Sequence, residues 1–526
     1  MSAHQRPVVL RRPVWPVYLV VFVSGMTTMA TEMAASRLLG PYFGDSLLVW
    51  ANLIGLILLC LTLGGYLGGR WADHSPRVET LYTITSIAAF LVGLVPFVAA
   101  PTLRLAQGAF TNVGAALASF DAIQIGGSFV GVLLLFVPPI TLLGCVSPFA
   151  IRLQTKQIRS AGRSAGGIYA LSTLGSILGT FAPVLLLIPA FGTAQTFLIF
   201  AFLLLAVSLI GLIAQRGGRQ IALAGALIAL LLLLALIFPH RVVKADARMI
   251  DEQESRYNYI QVLEVDGVRY LMLNEGQGVH SIYDPNALST FGTWDVLTVA
   301  PLFNNPPFAA DQVERICIIG LAAGTSARQA TQVYGPIPID GVEIDPAIVE
   351  VGRQYFDMNQ PNLNVHLTDG RFFLENTAER YDLIIIDAYR LPYIPFQLTT
   401  TEFFALAHSR LTPRGVVAVN VGRTESDYRM VEAIAATLGK HFAAIHAVNL
   451  VDTFNTVLVA TQEATVAENL HLNAASAWHP FFVDVAQRAL PHLYALQGDG
   501  LVFTDDRAPV ESLTNAILLR YLLTGE

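Results

Sequence analysis

Four short apolar runs in the second half of the chain each end in a glycine or an acidic residue. The residues that end these runs are Gly320, Glu343, Asp369 and Asp387. If the runs are parallel strands, their carboxyl ends meet at one edge of a sheet, where such sheets bind ligands. Carboxylates at that edge could accept hydrogen bonds from a ligand or take a proton from one.

The spacing of these residues predicts a nucleotide site. The turn from Gly320 to Gly324 enters a helix, so the backbone of the turn could approach a ligand and the free N–H groups of the helix N-terminus could face one. Glu343, 23 residues after Gly320, would accept hydrogen bonds from both ribose hydroxyls. Asp369 would accept one from an adenine amine, and Asp387 would lie at the reacting centre. The alternatives are a plain strand-to-helix turn for the loop, and a helix cap or a solvated loop residue for Glu343 and Asp387.

Helical stretches separate these runs, and a fifth run follows at Val416–Val421. This alternation predicts a doubly wound parallel sheet, which we place at residues 301–526. Ahead of it, two alternating runs flank Asp266-Gly267, a dipeptide typical of tight β-hairpin turns. We therefore predict a small β subdomain over residues 250–300.

The first half of the chain is a predicted membrane domain, residues 1–240. The whole chain is 54% hydrophobic and 13% charged, with a mean hydropathy of +0.54, which is too apolar for an ordinary soluble protein. A span needs about 20 apolar residues. We predict about seven, at residues 16–38, 46–69, 80–101, 124–147, 166–188, 194–214 and 220–239.

Charge divides the chain and bears on its partners and location. Residues 1–240 hold 13 Lys/Arg and 5 Asp/Glu, whereas the remainder holds 19 and 34. The acidic second half disfavours nucleic acid as a partner, and the spans predict contact with membrane lipid. The positive-inside rule puts the basic N-terminus and alternate loops in the cytoplasm. Seven spans then leave the second half outside, whereas a nucleotide substrate requires the cytoplasm, and the sequence leaves this conflict open.

Glu32 lies inside the first predicted span. An acid within a membrane is a candidate functional group, although an interhelical salt bridge or a position at the membrane interface would also explain it. The three cysteines, Cys60, Cys145 and Cys317, lie in apolar runs and are expected to be core residues. We expect no metal site, because no Cys/His cluster with ligand spacing occurs.

The second half resembles the spermidine synthase family of aminopropyltransferases. The whole chain looks like its membrane-bound branch, in which a transporter-like membrane region is fused to a spermidine synthase-like domain. The resemblance covers residues 255–460. The segments that carry it are Ile316–Gly324, Gly341–Pro346, Thr368–Leu374 and Tyr381–Asp387, with Gly40–Gly44 and Gly166–Ala170 in the membrane half.

The resemblance implies a Rossmann-like S-adenosylmethionine-dependent transferase domain. By position, Glu343 would bind the ribose of decarboxylated S-adenosylmethionine, and Asp369 with Gly370 would lie near its adenine. Asp387 would be the proton acceptor, since an amine nucleophile must lose a proton. His280 stands roughly where the family has a cofactor-binding glutamine. The predicted partners are a small-molecule amine or other acceptor and a second copy of the chain.

Departures from the family pattern concentrate on the acceptor side. Ala323 replaces an acid of the glycine-rich loop, and the Tyr-His-Glu run of the family is matched by Thr293-Trp294-Asp295, which keeps only the acid. Arg390 stands where a second acid is usual and would repel a diamine. The candidate acceptor residues are Asp295, Tyr389, Arg390 and Asp505. Asp505 belongs to an acidic loop that could equally cap the following helix.

Three functions remain open from the sequence. The first is transfer of an aminopropyl group from decarboxylated S-adenosylmethionine to an amine such as putrescine. The second is methyl or other alkyl transfer from S-adenosylmethionine to a non-polyamine acceptor, which Ala323 and Arg390 favour. The third is a transporter or sensor that binds the nucleotide without turnover, which the retained acid Asp387 disfavours.

Overall fold

The computed structural model describes residues 15–44, 47–117, 120–155, 161–238, 244, 246–274, 278–389, 393–451, 453–496 and 500–524. The chain divides into two compact units. The N-terminal unit comprises residues 1–116, 121–246 and 253–259, and the C-terminal unit comprises residues 117–120, 247–252 and 260–526. The division lies a little beyond the predicted boundary at residue 240.

The N-terminal unit is helical. Its helices are α1 (Trp15–Phe43), α2 (Leu47–His74), α3 (Val78–Leu117), α4 (Phe120–Gly144), α5 (Val146–Gln154), α6 (Ala161–Ala182), α7 (Ile188–Gln215) and α8 (Gly218–Ile237). A π-helical turn, Pro183–Leu187, joins α6 to α7. Within the described residues, six helical stretches are long and apolar enough to cross a membrane.

The fifth of these stretches bears on the number of spans. It runs over 55 residues, Ala161–Gln215, which as one helix would be about 80 Å long, against about 30 Å of hydrocarbon. Its backbone is non-helical at Gly192, where φ is 81°. The sequence prediction ends one span and starts the next around this position, and the count of seven stays a prediction.

Helices α1 and α6 run parallel and pack closely through glycines. Gly175 lies against the backbone of Phe22, and Gly179 lies against that of Met26. A Cβ at either glycine would overlap with α1, so the close approach requires small residues at these two positions.

A four-stranded antiparallel sheet precedes the main α/β region. Its strands are β1 (Met249–Glu254), β2 (Tyr259–Val265), β3 (Val268–Leu273) and β4 (Val279–Tyr283), in that order. The predicted hairpin at Asp266-Gly267 is confirmed: Val265 pairs with Val268, and both turn residues have positive φ. That geometry fits the type I′ turn that Asp-Gly favours.

The main α/β region contains an eight-stranded sheet. Its elements in chain order are α9 (Thr293–Val299), β5 (Ile316–Ile319), α10 (Thr325–Tyr334), β6 (Ile339–Glu343), α11 (Pro346–Tyr355), β7 (Leu363–Leu367), α12 (Gly370–Asn376), β8 (Tyr381–Ile386), α13 (Thr401–Ser409), β9 (Leu411–Gly422), α14 (Arg429–Leu438), β10 (Ala444–Asn449), β11 (Asn455–Thr461), α15 (Asn469–Ala475), α16 (Pro480–Ala489), β12 (Leu493–Ala495) and α17 (Val510–Thr524).

The strand order is β12-β10-β11-β9-β8-β5-β6-β7. Strands β5 to β9 are mutually parallel, which confirms the predicted parallel core. Strands β10, β11 and β12 pair antiparallel to their neighbours, an extension that the sequence prediction did not include. Apolar clusters cover both faces of the sheet, because alternate residues of each buried strand point to opposite sides.

Candidate active site

The four residues predicted from the ends of the apolar runs lie at one edge of the sheet. Gly320 follows β5, Glu343 ends β6, and Asp387 follows β8 directly. Asp369 comes two residues after β7. The strand order β8-β5-β6-β7 therefore sets these positions side by side, at the edge where doubly wound sheets bind ligands.

Gly320 is required by the close approach of two strands. Its φ is +84°, and a Cβ there would overlap with the carbonyl oxygen of Asp387. The backbone N–H of Asp387 in turn donates to the Ile319 carbonyl at 2.9 Å. The position of Asp387 thus depends on the absence of a side chain at residue 320.

The backbone N–H groups of the Gly320–Gly324 turn are largely paired within the protein. Gly320 and Leu321 both donate to the Val342 carbonyl at 3.0 Å. Ala322 donates to Glu343 Oε2 at 2.9 Å and Ala323 to Ser281 Oγ at 2.9 Å. The N–H groups of this turn therefore hold neighbouring protein groups in place, and the expected ligand contact at the N-terminus of α10 stays a prediction.

Glu343 is held by three backbone N–H groups. Its Oε1 accepts from Ile344 and Asp345 at 2.9 and 3.0 Å, and its Oε2 accepts from Ala322. A carboxylate has about four lone-pair positions, so about one is left for a ligand hydroxyl. Burial raises the pKa of Glu343 to about 6, although the N–H groups oppose that rise. The side chain is thus fixed in position and ionised at neutral pH.

We expect Glu343→Gln to weaken binding of an adenine nucleoside such as methylthioadenosine about 10- to 100-fold, because one charge-assisted hydrogen bond is lost. The glutamine would also turn an NH₂ group toward backbone donors. Titration calorimetry on the full-length protein would measure the change. Glu350→Gln, an exposed residue of α11, serves as the matched control, and equal affinity in both variants would contradict a ligand role for Glu343.

His280 lies in an irregular part of β4. Leu271 pairs with Ser281 while the next residue, Met272, pairs with Val279, so His280 is the extra residue of a β-bulge. Bulges re-aim side chains and are common beside active sites. The buried Nε2 of His280 has no hydrogen-bond partner among the described residues, and burial lowers the pKa of the ring to about 4. A neutral, unpaired ring nitrogen fits contact with a ligand.

Asp369 caps helix α12. Its Oδ1 accepts from the N–H groups of Arg371 and Phe372 at 2.9 and 3.1 Å. This is a helix-capping role, which the sequence prediction did not include for Asp369. Both bonds fall on one carboxylate oxygen, which leaves a base contact through Oδ2 as a proposal. Gly370 is buried, and a Cβ there would overlap with Ile319, so its glycine is explained by packing.

Asp387 is the acid whose environment most favours proton transfer. Its carboxylate accepts from Asn420 Nδ2 at 2.9 Å and from the Trp294 side chain. Burial nevertheless raises its pKa to about 7, because desolvation penalises the charge more than these two bonds favour it. A carboxyl with such a pKa can accept and release a proton near neutral pH.

Asn420, on β9, was missed by the sequence prediction. Its Oδ1 accepts from Asn455 Nδ2 at 2.9 Å, and this bond orients its NH₂ group toward Asp387. Its backbone carbonyl accepts from the Tyr389 hydroxyl at 3.1 Å. The signal was available, because Asn420 interrupts the apolar run Val416–Val421 near its carboxyl end.

Asp295 has a structural role. It is fully buried and accepts hydrogen bonds from Thr290, from Gln329 Nε2 at 2.7 Å and from Arg488 Nη2 at 2.9 Å. Ser289 and Phe291 also donate to it. These bonds use the carboxylate fully, so the predicted substrate contact has no support at this position. In the Thr293-Trp294-Asp295 run, Trp294 and not Asp295 reaches the edge.

Asp505 also forms an ion pair with an arginine. Arg371 binds it through two bonds of 2.7 Å, and Thr400 Oγ1 donates to it at 2.7 Å. The fork-shaped pairing neutralises the acid. Arg390 lies outside the described residues, and Tyr389 directs its hydroxyl to β9. Neither Asp295 nor Asp505 is therefore available to a cationic acceptor.

A cavity of about 370 Å³ lies beside the end of β10, between α9 and α16. Its lining includes Gly292 just before α9, Val296 of α9, Asn449 at the end of β10 and Arg488 of α16, but not Glu343 or Asp387. Trp294, which bonds Asp387, lies on α9 between the first two. The lining is mostly apolar, and the charged group described in it is an arginine.

The strand order, the tight turn after β5 and the acids at the carboxyl edge define a Rossmann-like α/β fold. Residues 296–468 match the family described as spermine/spermidine synthase domain. A probable polyamine aminopropyl transferase from Bifidobacterium longum is 30% identical over 283 residues, which cover 50% of this chain and 61% of that protein.

Two further proteins extend the comparison. The polyamine aminopropyltransferase of Vibrio vulnificus is 27% identical over 300 residues, covering 54% of this chain and 96% of that protein. A probable spermidine synthase from Corynebacterium glutamicum superposes with a TM-score of 0.38 and 21% identity, covering 47% of this chain and 95% of that one. The matches therefore cover about half of this chain, together with 61% of the first relative and 96% of the second.

Proposed function

We propose that the C-terminal unit is an aminopropyltransferase that uses decarboxylated S-adenosylmethionine and an amine such as putrescine. The observation that carries this proposal is the environment of Asp387, a carboxyl with a pKa of about 7 that adjoins the Gly320 turn at the same sheet edge as Glu343. Similarity to polyamine aminopropyltransferases supports the reaction class.

In the proposed reaction, the amine nitrogen attacks the aminopropyl carbon bonded to sulfur. A nitrogen–carbon bond forms and the carbon–sulfur bond breaks, leaving methylthioadenosine. The nitrogen loses its proton to Asp387, whose carboxylate Asn420 and Trp294 hold in place. Glu343 accepts a ribose hydroxyl, and the neutral ring of His280 contacts the nucleoside. Because the sulfonium is already a good leaving group, positioning supplies much of the acceleration.

We further propose that the N-terminal unit holds this enzyme in the cell membrane as a multi-pass protein. Its six long apolar helical stretches support the location. We assign the C-terminal unit to the cytoplasm, because the nucleotide donor would be found there.

The pairing of two candidate acceptor acids with arginines favours a second function. This function is transfer of a methyl or other alkyl group to a non-polyamine acceptor. Asp295 is paired with Arg488, and Asp505 with Arg371. An acceptor pocket without free carboxylates would hold a diamine weakly, since its ammonium groups need counter-charges.

A donor assay separates these candidates. Full-length protein in detergent is given decarboxylated S-adenosylmethionine or S-adenosylmethionine, each with and without putrescine. We expect methylthioadenosine from the decarboxylated donor only when the amine is present. Release of S-adenosylhomocysteine from S-adenosylmethionine would support the second candidate. Binding of both donors without any product would contradict both.

The rate of the reaction should depend on the ionisation of Asp387. Because its pKa lies near 7, kcat/KM should fall about tenfold per pH unit below that value. Trp294→Phe removes the indole N–H that donates to Asp387. Because that hydrogen bond favours the ionised carboxylate, its loss should shift the acidic fall of kcat/KM to higher pH. The acceptor is the same in both proteins, so its own ionisation cancels in the comparison. Trp478→Phe, at an exposed tryptophan, is the control, and coincident profiles for all three proteins would contradict the assignment.

A further inference from the structure

Glu32 is an acidic residue in the middle of a long apolar helix. Helix α1 has 29 residues, and Glu32 lies three positions past its centre, about 4.5 Å along the axis. Asp73 and Glu79, the other acidic side chains that the structure describes within helices of the N-terminal unit, lie at helix ends. The central position disfavours the interfacial explanation of Glu32.

Glu32 is a largely buried residue whose side chain has no described partner. The side chain is 8% exposed, and no hydrogen bond or ion pair reaches it within the described part of the chain. Arg37 cannot supply one from the same helix, because five residues place it about 140° around the axis and about 7.5 Å further along. The Arg37 guanidinium donates instead to the Ser255 carbonyl. The salt-bridge explanation therefore fails for the described residues.

A second oxygen lies on the same face of α1. Thr28 precedes Glu32 by four residues, so the two side chains are neighbours on the helix surface. The Thr28 hydroxyl donates to the Ser24 carbonyl at 2.9 Å and is buried. The hydroxyl proton of Thr28 is already donated to Ser24, so toward Glu32 the Thr28 oxygen can only accept a hydrogen bond. Two adjacent acceptors cannot bond each other and require a ligand that brings positive charge or a proton.

The chain that packs on α1 is irregular at the level of Glu32. Gly179 of α6 lies against Met26 of α1, and the two helices run parallel. Counting six residues on from Met26 and from Gly179 brings Glu32 and Leu185 to about the same position along the axes of the two helices. Leu185 belongs to the π-helical turn Pro183–Leu187, and Pro183 has no N–H, so a carbonyl one turn earlier lacks its helical donor. Such π turns occur frequently at functional sites.

We propose that Glu32 and Thr28 form a cation-binding site within the N-terminal unit. When the site is empty the carboxyl holds a proton, since an unpaired charge in apolar surroundings is costly. A cation replaces that proton and is bound by the carboxylate and the threonine oxygen, the hard ligands that such cations prefer. The cation is either a metal monocation or an alkylammonium, because both offer a single compact positive charge. This proposal stands on the N-terminal unit alone and does not require the proposed transferase activity.

The test uses dicyclohexylcarbodiimide, which reacts with protonated carboxyls in apolar surroundings. Full-length protein in lipid nanodiscs is labelled in N-methylglucamine buffer, with NaCl, KCl or putrescine added at constant ionic strength, and modified Glu32 is quantified by peptide mass spectrometry. We expect Glu32 to react and one cation to slow the reaction saturably, about tenfold at ten times its dissociation constant. Protection by Na⁺ or K⁺ identifies a metal site, and protection by putrescine an alkylammonium site.

Two variants test the geometry without removing the acid. Thr28→Val should lose most of the protection, whereas Thr28→Ser, which keeps the hydroxyl, should retain it. Glu79, at the start of α3, is the internal control and should show no cation dependence. Equal labelling of Glu32 in every buffer would overturn the proposal, because the residue would then carry only a proton. Failure of Glu32 to react in correctly folded wild-type protein would also overturn it.

Discussion

Asp387→Asn should lower kcat about 10²- to 10⁴-fold and at the same time raise the thermal stability of the protein. The amide cannot accept the proton from the amine, so turnover falls. It can still accept one hydrogen bond at the same place, so binding of methylthioadenosine should change little. Product release by mass spectrometry and nucleoside titration would measure these two effects separately.

The gain in stability follows from the sign of the pKa shift. Asp387 has its pKa raised from 3.8 to about 7 in the folded protein, so the folded state holds more protons than the unfolded chain between these values. The free energy of unfolding therefore falls as pH rises through this range. Above pH 7 the full destabilisation by the buried charge of Asp387 is present. Replacing this carboxylate with a neutral amide should increase the free energy of unfolding by roughly 1–4 kcal/mol at pH 8. This increase corresponds to a rise in Tm of several degrees.

Asp382→Asn is the matched control for this result. Asp382 lies on the same strand, β8, near its opposite end, and accepts from Glu314, Arg315 and Thr412. The same substitution there should lower Tm without changing kcat/KM. If Asp387→Asn kept kcat within about threefold of wild type, Asp387 could not be the proton acceptor.

Asp295→Ala should cause the largest loss of stability among the changes considered. It would leave the Arg488 guanidinium without its buried counter-charge and remove the acceptor that holds the Ser289–Phe291 turn. Breaking a buried pair of this kind costs about 3–5 kcal/mol, equivalent to a fall in Tm of roughly 10 °C. Thermal unfolding of the full-length protein in detergent, followed by tryptophan fluorescence, would measure it.

Arg488 supplies the control for this prediction. The same guanidinium pairs with Asp484 at 2.8 Å, whose side chain is 55% exposed. Asp484→Ala removes an equal charge from the same arginine and should cost less than about 0.5 kcal/mol, because exposed pairs are screened by water. Similar Tm values for the two variants would show that Asp295 is not the structural centre that its contacts indicate.

The sequence predicted the sheet edge correctly because the information was local. Each central strand is a short apolar run, and Glu343 and Asp387 end their runs where the chain leaves the sheet. The type I′ turn at Asp266-Gly267 was predictable for the same reason. The antiparallel strands β10–β12 were not, because pairing direction depends on contacts that hydrophobic pattern does not encode.

The acceptor side was predicted less well because its contacts are long-range. Arg488 reaches Asp295 across 193 residues of sequence, and Arg371 reaches Asp505 across 134. An isolated acid in the sequence looks free for substrate until its partner is located. The same limit applies to the turn after Gly320, where the bonds from Ala322 to Glu343 and from Ala323 to Ser281 could not be predicted from the sequence.

The parallel packing of α1 on α6 has a consequence for how the protein is made. Gly25 of α1 meets Ser172 of α6, so after α1 is synthesised about 150 further residues must follow before this partner exists. At about 5–20 residues per second, that delay is roughly 8–30 s. The contact between α1 and α6 can therefore form only after the fifth apolar stretch has been made. In the proposed membrane domain, the packing around Glu32 would thus be completed late in synthesis.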